Sequence, residues 1–215
     1  MFARHWWIAV LSLVAGNGFA EEPASNARYQ IGKDYQEIVP AQPVATDGKI
    51  EVIEVFWYGC PHCYDFEPYI NAWAASKAPD VEFRRIPAAF NKAWYVHAKA
   101  YYAAEALGVI DKIHAPLFKA LHESKRRLDD EASLAEFFAE NGVSKEEFSE
   151  AFSSFTVDAK VQQAIQSVKQ YGIDGVPKVV INGKFRTPGE TAISFSEIPK
   201  VIDFLIDKER AAAKP

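Results

Sequence analysis

The sequence predicts an α/β fold in which a block of helices interrupts a small β-sheet. Short apolar runs rich in β-branched and aromatic residues predict strands at residues 50–56, 81–86 and 178–181. Between residues 94 and 171 we find no strand pattern, only segments in which apolar residues recur at helical spacing. Helices placed in this way between strands indicate a helical subdomain inserted into a sheet-containing domain.

We expect the sheet-containing domain to consist of residues 21–90 and 172–215, and the inserted helical subdomain to consist of residues 91–171. The insert contains five predicted helices, at residues 95–107, 113–122, 133–139, 145–152 and 157–171. Ser144 and Glu147 form a capping-box pattern that marks the start of the fourth of these helices.

The remaining elements complete the sheet domain. A short strand is expected at residues 34–39, and the helix that follows the 50–56 strand should run from residue 61 to about residue 77. Asn182 and Gly183 lie between two strand-like runs and predict a hairpin with a type I′ turn. Apolar residues at helical spacing from 198 to 206 predict an amphipathic closing helix.

The only two cysteines of the chain, Cys60 and Cys63, follow the central predicted strand and have two residues between them. If Cys60 begins a helix, Cys63 lies one turn later on the same side, close enough for a disulfide of ordinary geometry. The N–H groups and the dipole at a helix N-terminus favour a thiolate, which is the attacking form of cysteine. Pro61 suits the first helical turn, and His62 can add a donor or a positive charge beside the sulfur. The pattern favours a redox-active pair whose disulfide is readily given away.

Other interpretations of the cysteine pair stay open. A structural disulfide would close only a short ring, which constrains the unfolded chain little. A zinc site would need two further ligands, and His97, His114 and His122 lack the usual paired spacing. Two inert buried thiols fit poorly with a Pro-His dipeptide between them and a strand before them. His62 could be only an exposed histidine at a helix start.

Residues 1–20 have the layout of a secretory signal. Arg4 and His5 precede an apolar stretch at residues 6–15, and small residues then lead to Ala20, after which we expect cleavage. The apolar stretch is short for a membrane span, so an uncleaved anchor is the less favoured alternative. Export would place the cysteines in an oxidising compartment. The net charge of −5 and the lack of a basic patch in the sequence argue against nucleic acid as a partner.

Two segments resemble the signatures of the DsbA family. Residues 60–67 have the sequence CPHCYDFE, and residues 175–185 have the sequence GVPKVVINGKF. The order of the predicted elements likewise resembles a thioredoxin fold that carries a helical insertion. The resemblance covers almost the whole chain after Ala20 and implies a periplasmic thiol:disulfide oxidoreductase that donates disulfides to newly exported proteins. It implies that Cys60 is the exposed nucleophile, stabilised as a thiolate by its neighbours, and that Cys63 is the buried resolving thiol.

The resemblance also implies a role for Val176 and Pro177. The peptide bond between them would be cis, and Pro177 would face the cysteine pair across the site. The backbone of Val176 would then be free to pair with an extended substrate segment. An ordinary trans proline before a strand is the alternative.

Glu54 is an acid within an otherwise apolar strand, six residues before Cys60. The resemblance implies a buried acid at this position, beneath the site, that transfers a proton to or from the buried thiol. Burial would raise the pKa of Glu54, and Arg85 on the neighbouring strand is its expected partner. An exposed ion pair at a strand edge is the alternative. Glu67 is a weaker candidate for the same setting, and we expect it to be a solvated helix residue.

The resemblance implies that reduced, unfolded exported proteins are the substrates and that a DsbB-like, quinone-linked membrane oxidase regenerates the disulfide. We expect a monomer that needs no metal and no cofactor other than the disulfide of Cys60 and Cys63. An exported reductase or isomerase is one alternative, although isomerases of this fold use a separate N-terminal dimerisation domain for which residues 21–50 leave too little room. A peptide-binding chaperone that does not depend on its thiols is another.

Two places in the chain depart from the best-known members of the family. Tyr58 and Gly59 stand where bulkier apolar residues can occur, which would change the surface around Cys60. Pro87 stands at a strand end that can carry a histidine, which would change the local electrostatics. Neither departure removes a residue that takes part in redox chemistry.

Overall fold

The computed structural model describes residues 28–188 and 193–213, and within them a mixed β-sheet carries helices on both faces. The strands are β1 (Gln36–Glu37), β2 (Ile50–Phe56), β3 (Val81–Pro87), β4 (Lys178–Ile181) and β5 (Phe185–Arg186), in the spatial order β1-β5-β4-β2-β3. Strand β2 runs parallel to β3 and antiparallel to β4. The predicted central strand is confirmed at its full length, whereas the strand expected at residues 34–39 is confirmed only at the two residues of β1.

One helix follows β2, five follow β3, and one closes the described chain. They are α1 (Pro61–Ser76), α2 (Lys92–Ala106), α3 (Ile110–His122), α4 (Glu131–Glu140), α5 (Lys145–Phe152), α6 (Phe155–Gln170) and α7 (Ile198–Ala212). Helices α2 to α6 therefore lie between β3 and β4, where the helical spacing predicted them. None of the helices in the described part of the chain is long and apolar enough to cross a membrane.

Four helices of the insert, α2, α3, α4 and α6, begin two or three residues earlier than the apolar spacing predicts, and polar caps precede three of them. The side chains of Asn91, Asp130 and Ser154 accept hydrogen bonds from backbone N–H groups in the first turns of α2, α4 and α6. The capping box of Ser144 and Glu147 at the start of α5 is confirmed, with both of its reciprocal hydrogen bonds present.

Apolar residues form two cores because alternate residues of a strand point to opposite faces of the sheet. Val52 and Ile181 belong to the core that contains the apolar faces of α1 and α7. Ile53 and Val180 belong to the other core, which continues without a break into helices α2, α3, α4, α5 and α6. The inserted helices thus pack directly against the sheet, and both cysteines belong to that second core.

The predicted hairpin joins β4 to β5. Asn182 has φ 51° and Gly183 has φ 64°, the positive values that a type I′ turn requires at both central positions. The Lys184 N–H donates to the Ile181 carbonyl oxygen at 3.0 Å and closes the turn. The chain before this hairpin is the loop that carries Val176 and Pro177.

Gly183→Ala should lower the free energy of unfolding by about 2–4 kcal/mol, because it combines left-handed backbone strain with overpacking. A Cβ added at Gly183 would lie 2.2 Å from the Gln42 carbonyl oxygen, which cannot move without the backbone. Gly142→Ala is the matched control, since Gly142 has φ 85° and no heavy atom within 4 Å of its added Cβ. It should cost only about 1–2 kcal/mol. Denaturant unfolding of the two variants measures the difference, and equal losses would contradict the steric argument.

Candidate active site

Cys60 lies at the junction between strand β2 and helix α1. The strand ends at Phe56, and the Cys60 N–H then donates to the Trp57 carbonyl oxygen at 3.0 Å, which folds the chain into a tight turn. Cys60 is the N-cap residue of α1, with extended backbone angles, and Pro61 is the first helical residue. The Tyr64 N–H donates to the Cys60 carbonyl oxygen at 3.1 Å and begins the helical hydrogen bonds. The helix start that the sequence predicts at the cysteines is therefore confirmed.

The two thiols are both buried, so the expectation of an exposed Cys60 is wrong: only 8% of Cys60 is exposed, and Cys63 is completely buried. They nevertheless lie in different electrostatic surroundings. The pKa of Cys60 is lowered to about 6, chiefly by the hydrogen bond from the Cys63 thiol. Backbone N–H groups of Cys63 and His62 and the charge of His62 lower it further, while burial works against them. Burial raises the pKa of Cys63 well above its ordinary value, and the contact with Cys60 adds to this rise. At neutral pH the pair therefore holds a Cys60 thiolate and a Cys63 thiol.

The loop before β4 faces the reactive sulfur. The peptide bond between Val176 and Pro177 is cis, and the Cys60 Sγ lies 3.6 Å from the Val176 carbonyl oxygen. Pro177 is buried, while Val176 is half-buried beside the thiol. The structure thus brings together the two segments whose sequences suggested a site, although they are far apart along the chain.

Glu54 lies in the middle of β2 and is completely buried. Arg85 stands opposite it on β3, and the Arg85 Nε donates to the Glu54 Oε2 at 2.7 Å. Burial raises the pKa of Glu54 to about 7, although the positive charge of Arg85 opposes the rise. The Oε1 of Glu54 has no hydrogen-bond partner among the described residues. The alternative of an exposed ion pair at a strand edge is therefore wrong, and the expected partner is confirmed.

Glu67 is buried, so the expectation of a solvated helix residue is wrong. It lies on the face of α1 that packs against α3 and β3, where its carboxylate has three polar partners. The Asn71 Nδ2 donates to it at 2.9 Å, the His114 Nε2 lies at 3.3 Å, and the Arg85 Nη2 lies at 3.6 Å. Burial disfavours the ionised form, but the hydrogen bond with His114 and the nearby positive charge keep the pKa of Glu67 below its ordinary value.

His114 extends this buried network to the turn that precedes the cysteines. Burial lowers the pKa of His114, so the neutral ring donates from Nε2 to Glu67 and accepts at Nδ1 from the Tyr58 hydroxyl, 2.8 Å away. Neither Tyr58 nor His114 is predicted from the sequence to be a member of the site. The sequence pattern of α3 gives no signal that His114 belongs to the site, and the two partners of His114 belong to other elements.

Tyr58 does not change the surface around Cys60 in the way that the sequence suggested. Tyr58 is completely buried, so its side chain lies inside the molecule. A Cβ added at Gly59 would lie 2.3 Å from the Trp57 indole ring, which packs over the turn at this point. The same indole stacks on Trp94, with ring centroids 4.2 Å apart and an interplanar angle of 7°. Gly59 therefore makes room for an aromatic stack between the turn and the first helix of the insert.

A second ion pair, between a buried glutamate and a partly exposed arginine, lies on the opposite face of β2. Glu51 is completely buried, and its Oε1 accepts a hydrogen bond from the Arg84 Nε at 2.8 Å. Glu51 and Glu54 differ by three positions and so point to opposite sides of the strand, and so do the adjacent residues Arg84 and Arg85. Along β2, Glu51 is more distant from the cysteines than Glu54 is.

The described part of the chain has no cluster of His, Cys, Asp or Glu side chains that could hold a metal ion.

A reactive dithiol at a helix N-terminus, opposite a cis-proline loop on a mixed sheet, defines the class of thioredoxin-fold proteins that carry out thiol–disulfide exchange. The family model of the DSBA-like thioredoxin domain matches residues 51–197. The chain therefore belongs to the DsbA family, and the predicted α/β fold, thioredoxin-like with inserted helices, is confirmed.

Individual relatives agree with this assignment over nearly the whole chain. The chain is 44% identical to the thiol:disulfide interchange protein DsbA of Pseudomonas syringae pathovar tomato, with 94% of this chain and 95% of that protein covered. It is 43% identical to the protein of the same name from Azotobacter vinelandii, with 91% of each covered. The crystal structure of Pseudomonas aeruginosa DsbA superposes with a TM-score of 0.83 at 42% identity, covering 87% of this chain and 97% of that one. Thiol:disulfide oxidoreductase activity follows from these matches and from the paired cysteines.

Replacing Cys63 tests the hydrogen bond that contributes most to the low pKa of Cys60. Cys63→Ala removes the donor, so we expect the pKa of Cys60 to rise from about 6 toward its ordinary value of 9.0. Cys63→Ser keeps an O–H donor at the same place and should leave the pKa lower than Cys63→Ala does. The ultraviolet absorbance of the thiolate, followed against pH, measures both midpoints. If the midpoint stays near 6 in both variants, the backbone N–H groups and His62 contribute more to the low pKa of Cys60 than the Cys63 thiol does.

Proposed function

We propose that this protein donates the disulfide of Cys60 and Cys63 to newly exported proteins, as an oxidase. The opposite shifts of the two thiol pKa values carry this proposal. A thiolate is stabilised at Cys60 only in the reduced protein, since the disulfide has no charge there. This stabilisation is fully present above the ordinary thiol pKa of about 9 and is lost as the pH falls through about 6. At neutral pH it favours the reduced form, so the disulfide is a good oxidant.

The reaction consists of two exchanges. A substrate thiolate attacks the Cys60 Sγ, the bond between Cys60 and Cys63 breaks, and its electron pair leaves on the Cys63 sulfur. A mixed disulfide then joins the substrate to Cys60. The second substrate thiolate attacks the substrate sulfur of this mixed disulfide and releases Cys60 as a thiolate. The substrate loses two electrons and forms its disulfide, and the cysteine pair gains two electrons.

The Val176 backbone is the proposed docking point for the substrate segment that flanks the reacting cysteine. Its carbonyl oxygen lies beside the Cys60 Sγ, so an extended chain paired with it would bring a neighbouring sulfur to the site. Main-chain hydrogen bonds of this kind give affinity with little preference for side chains, which suits an enzyme that acts on many exported proteins. Pro177 supports this role because it has no N–H group to compete beside the thiols.

Glu54 is the proposed proton donor for the Cys63 sulfur. The departing Cys63 thiolate is buried and therefore must gain a proton, because burial strongly disfavours its charge. Glu54 is close enough for its charge to raise the pKa of Cys63, and its own pKa of about 7 lets it hold a proton near neutrality. Its partner Arg85 also lines a cavity of about 400 Å³ together with Glu67 and His114, which offers a route for exchange with solvent.

The remaining proposals concern the setting in which the enzyme acts. Reduced, unfolded exported proteins would be the substrates, and a DsbB-like, quinone-linked membrane oxidase would regenerate the disulfide. We infer a periplasmic monomer that needs no cofactor beyond its cysteine pair. The relatives named DsbA support this setting, since they are thiol:disulfide interchange proteins. The predicted signal at residues 1–20, with cleavage after Ala20, lies outside the described residues.

The reduction potential of the Cys60–Cys63 pair tests the direction of the reaction. Equilibration with glutathione buffers, followed by the fluorescence of the nearby Trp57, should give a potential of about −180 mV or less negative, the range of disulfide isomerases and stronger oxidants. A potential near that of thioredoxin, about −270 mV, would overturn the oxidase proposal and make the protein a reductase. Cys60→Ser should abolish oxidation of a reduced dithiol peptide in the same preparation.

Glu54→Gln tests the proton donor through the pH dependence of the first exchange. For the parent, the rate constant for attack by a small dithiol, corrected for its thiolate fraction, should fall as the pH rises through about 7, because Glu54 loses its proton there. The variant should be slower below that pH and should show no such transition. Glu51→Gln is the matched control, since Glu51 is equally buried and also paired with an arginine. A transition near pH 7 that persists in Glu54→Gln would contradict this role.

A further inference from the structure

In the turn that precedes Cys60, the sequence does not determine the orientation of the central peptide group. The Cys60 N–H donates to the Trp57 carbonyl oxygen, so Tyr58 and Gly59 are the central residues of the turn. The peptide between them can point in either of two directions, as in type I and type II turns, and a glycine at the second central position permits both. The φ of Gly59 lies outside the left-handed region, so the peptide does not have the type II orientation.

His122, the last residue of α3, holds this peptide in place. Its Nε2 lies 2.7 Å from the Tyr58 carbonyl oxygen, and it acts as the donor because a carbonyl can only accept. A flip of the peptide between Tyr58 and Gly59 would turn the carbonyl away and break this bond. The hydroxyl of Tyr58 is also bonded to α3, through His114. One helix of the insert therefore holds both the side chain and the main chain of Tyr58.

The orientation of the His122 ring is itself fixed by the first turn of α1. The ring lies parallel to that of Tyr64, with centroids 5.0 Å apart and an interplanar angle of 11°. The Tyr64 hydroxyl donates to the carboxylate of Glu123, the residue after His122. Tyr64 directly follows Cys63, and Tyr58 lies two residues before Cys60. The end of α3 thus contacts both flanks of the reactive segment.

We propose that His122 is a positioning residue, which holds the Tyr58 carbonyl and thereby keeps Cys60 in the geometry that stabilises its thiolate. This inference rests on the proposed function, because it concerns the sulfur that the substrate attacks and that later leaves as a thiolate. The groups that stabilise the thiolate are the Cys63 thiol and the N–H groups of His62 and Cys63, all within the first turn of α1. Their alignment with the Cys60 sulfur depends on the direction in which the turn presents Cys60 to the helix.

Two substitutions of His122 separate hydrogen bonding from bulk. His122→Phe keeps a ring that can stack on Tyr64 but removes the donor, and we expect it to raise the midpoint of the Cys60 thiolate titration by about half to one pH unit. That shift corresponds to about a threefold to tenfold loss in the equilibrium constant for reduction of the disulfide by glutathione. His122→Gln restores an N–H donor and should recover most of both quantities.

Asn141→Leu is the matched control for a general loss of stability. The Asn141 Nδ2 donates to the Phe137 carbonyl oxygen at 2.7 Å, a bond of the same kind at the end of α4. This variant should lower the melting temperature and leave the titration midpoint of Cys60 unchanged. An equal shift of the midpoint in Asn141→Leu and His122→Phe would overturn the inference, because the effect would then reflect general loosening of the insert.

The midpoints of the His122 and Tyr64 variants decide whether His122 has the positioning role. A midpoint that His122→Phe does not move, or one that His122→Gln moves as far, would overturn the positioning role. If His122→Phe does not fold, Tyr64→Leu should shift the midpoint in the same direction, since it removes the ring that orients His122, whereas Tyr64→Phe should not. A parental midpoint near 9 would overturn the proposed function as well, whereas a parental midpoint near 6 with no shift in the variants overturns this inference alone.

Discussion

The chemistry of this protein depends on a contrast in electrostatic surroundings between two buried sulfur atoms one helical turn apart. Cys60 caps the helix, where N–H groups and a neighbouring thiol stabilise negative charge, while Cys63 is completely enclosed and is stable only when neutral. The contrast requires a helix that begins at one cysteine and turns the other inward. Strand β2, the tight turn after it and Pro61 together determine that starting point.

Ionisable groups are buried beneath the thiols, close to the Cys63 sulfur, although burying charge is unfavourable. Removing carboxylates and guanidinium groups from water is unfavourable unless they are paired and hydrogen-bonded. Arg85 lies between Glu54 and Glu67, and its positive charge lowers the pKa of both carboxyl groups. Burial nevertheless raises the pKa of Glu54 to about 7, while the pKa of Glu67 stays below its ordinary value. His114 then completes the hydrogen bonding of Glu67 and connects it to the turn. The inserted helices thereby take part in the electrostatics of the sheet domain.

The sequence predicts the parts of the site whose signals are local. The cysteine pair follows a strand of unmistakable composition, and Glu54 stands out as an acid within it, with Arg85 on the next strand as its partner. The burial of Glu67 could not be predicted from the sequence, because α1 is polar enough near this residue for either face of the helix to be exposed. Its partners His114 and Arg85 belong to other elements and become apparent only in the folded structure. His114 and His122 contact residues more than forty positions away, and no pattern along the chain marks such contacts.

The two ion pairs between β2 and β3 also specify how these strands align. Glu54 lies directly opposite Arg85, while Glu51 on the other face reaches Arg84. If β3 slipped by one residue, each arginine would lie on the face of the sheet opposite to its glutamate. If it slipped by two, the buried carboxylates would have no partners. Breaking the buried pair of Glu54 and Arg85 costs about 3–5 kcal/mol. On the other face, loss of the partly exposed Arg84 as a partner would leave the buried Glu51 unpaired. Together with the apolar packing on both faces, these charged residues favour a single register for the central strands.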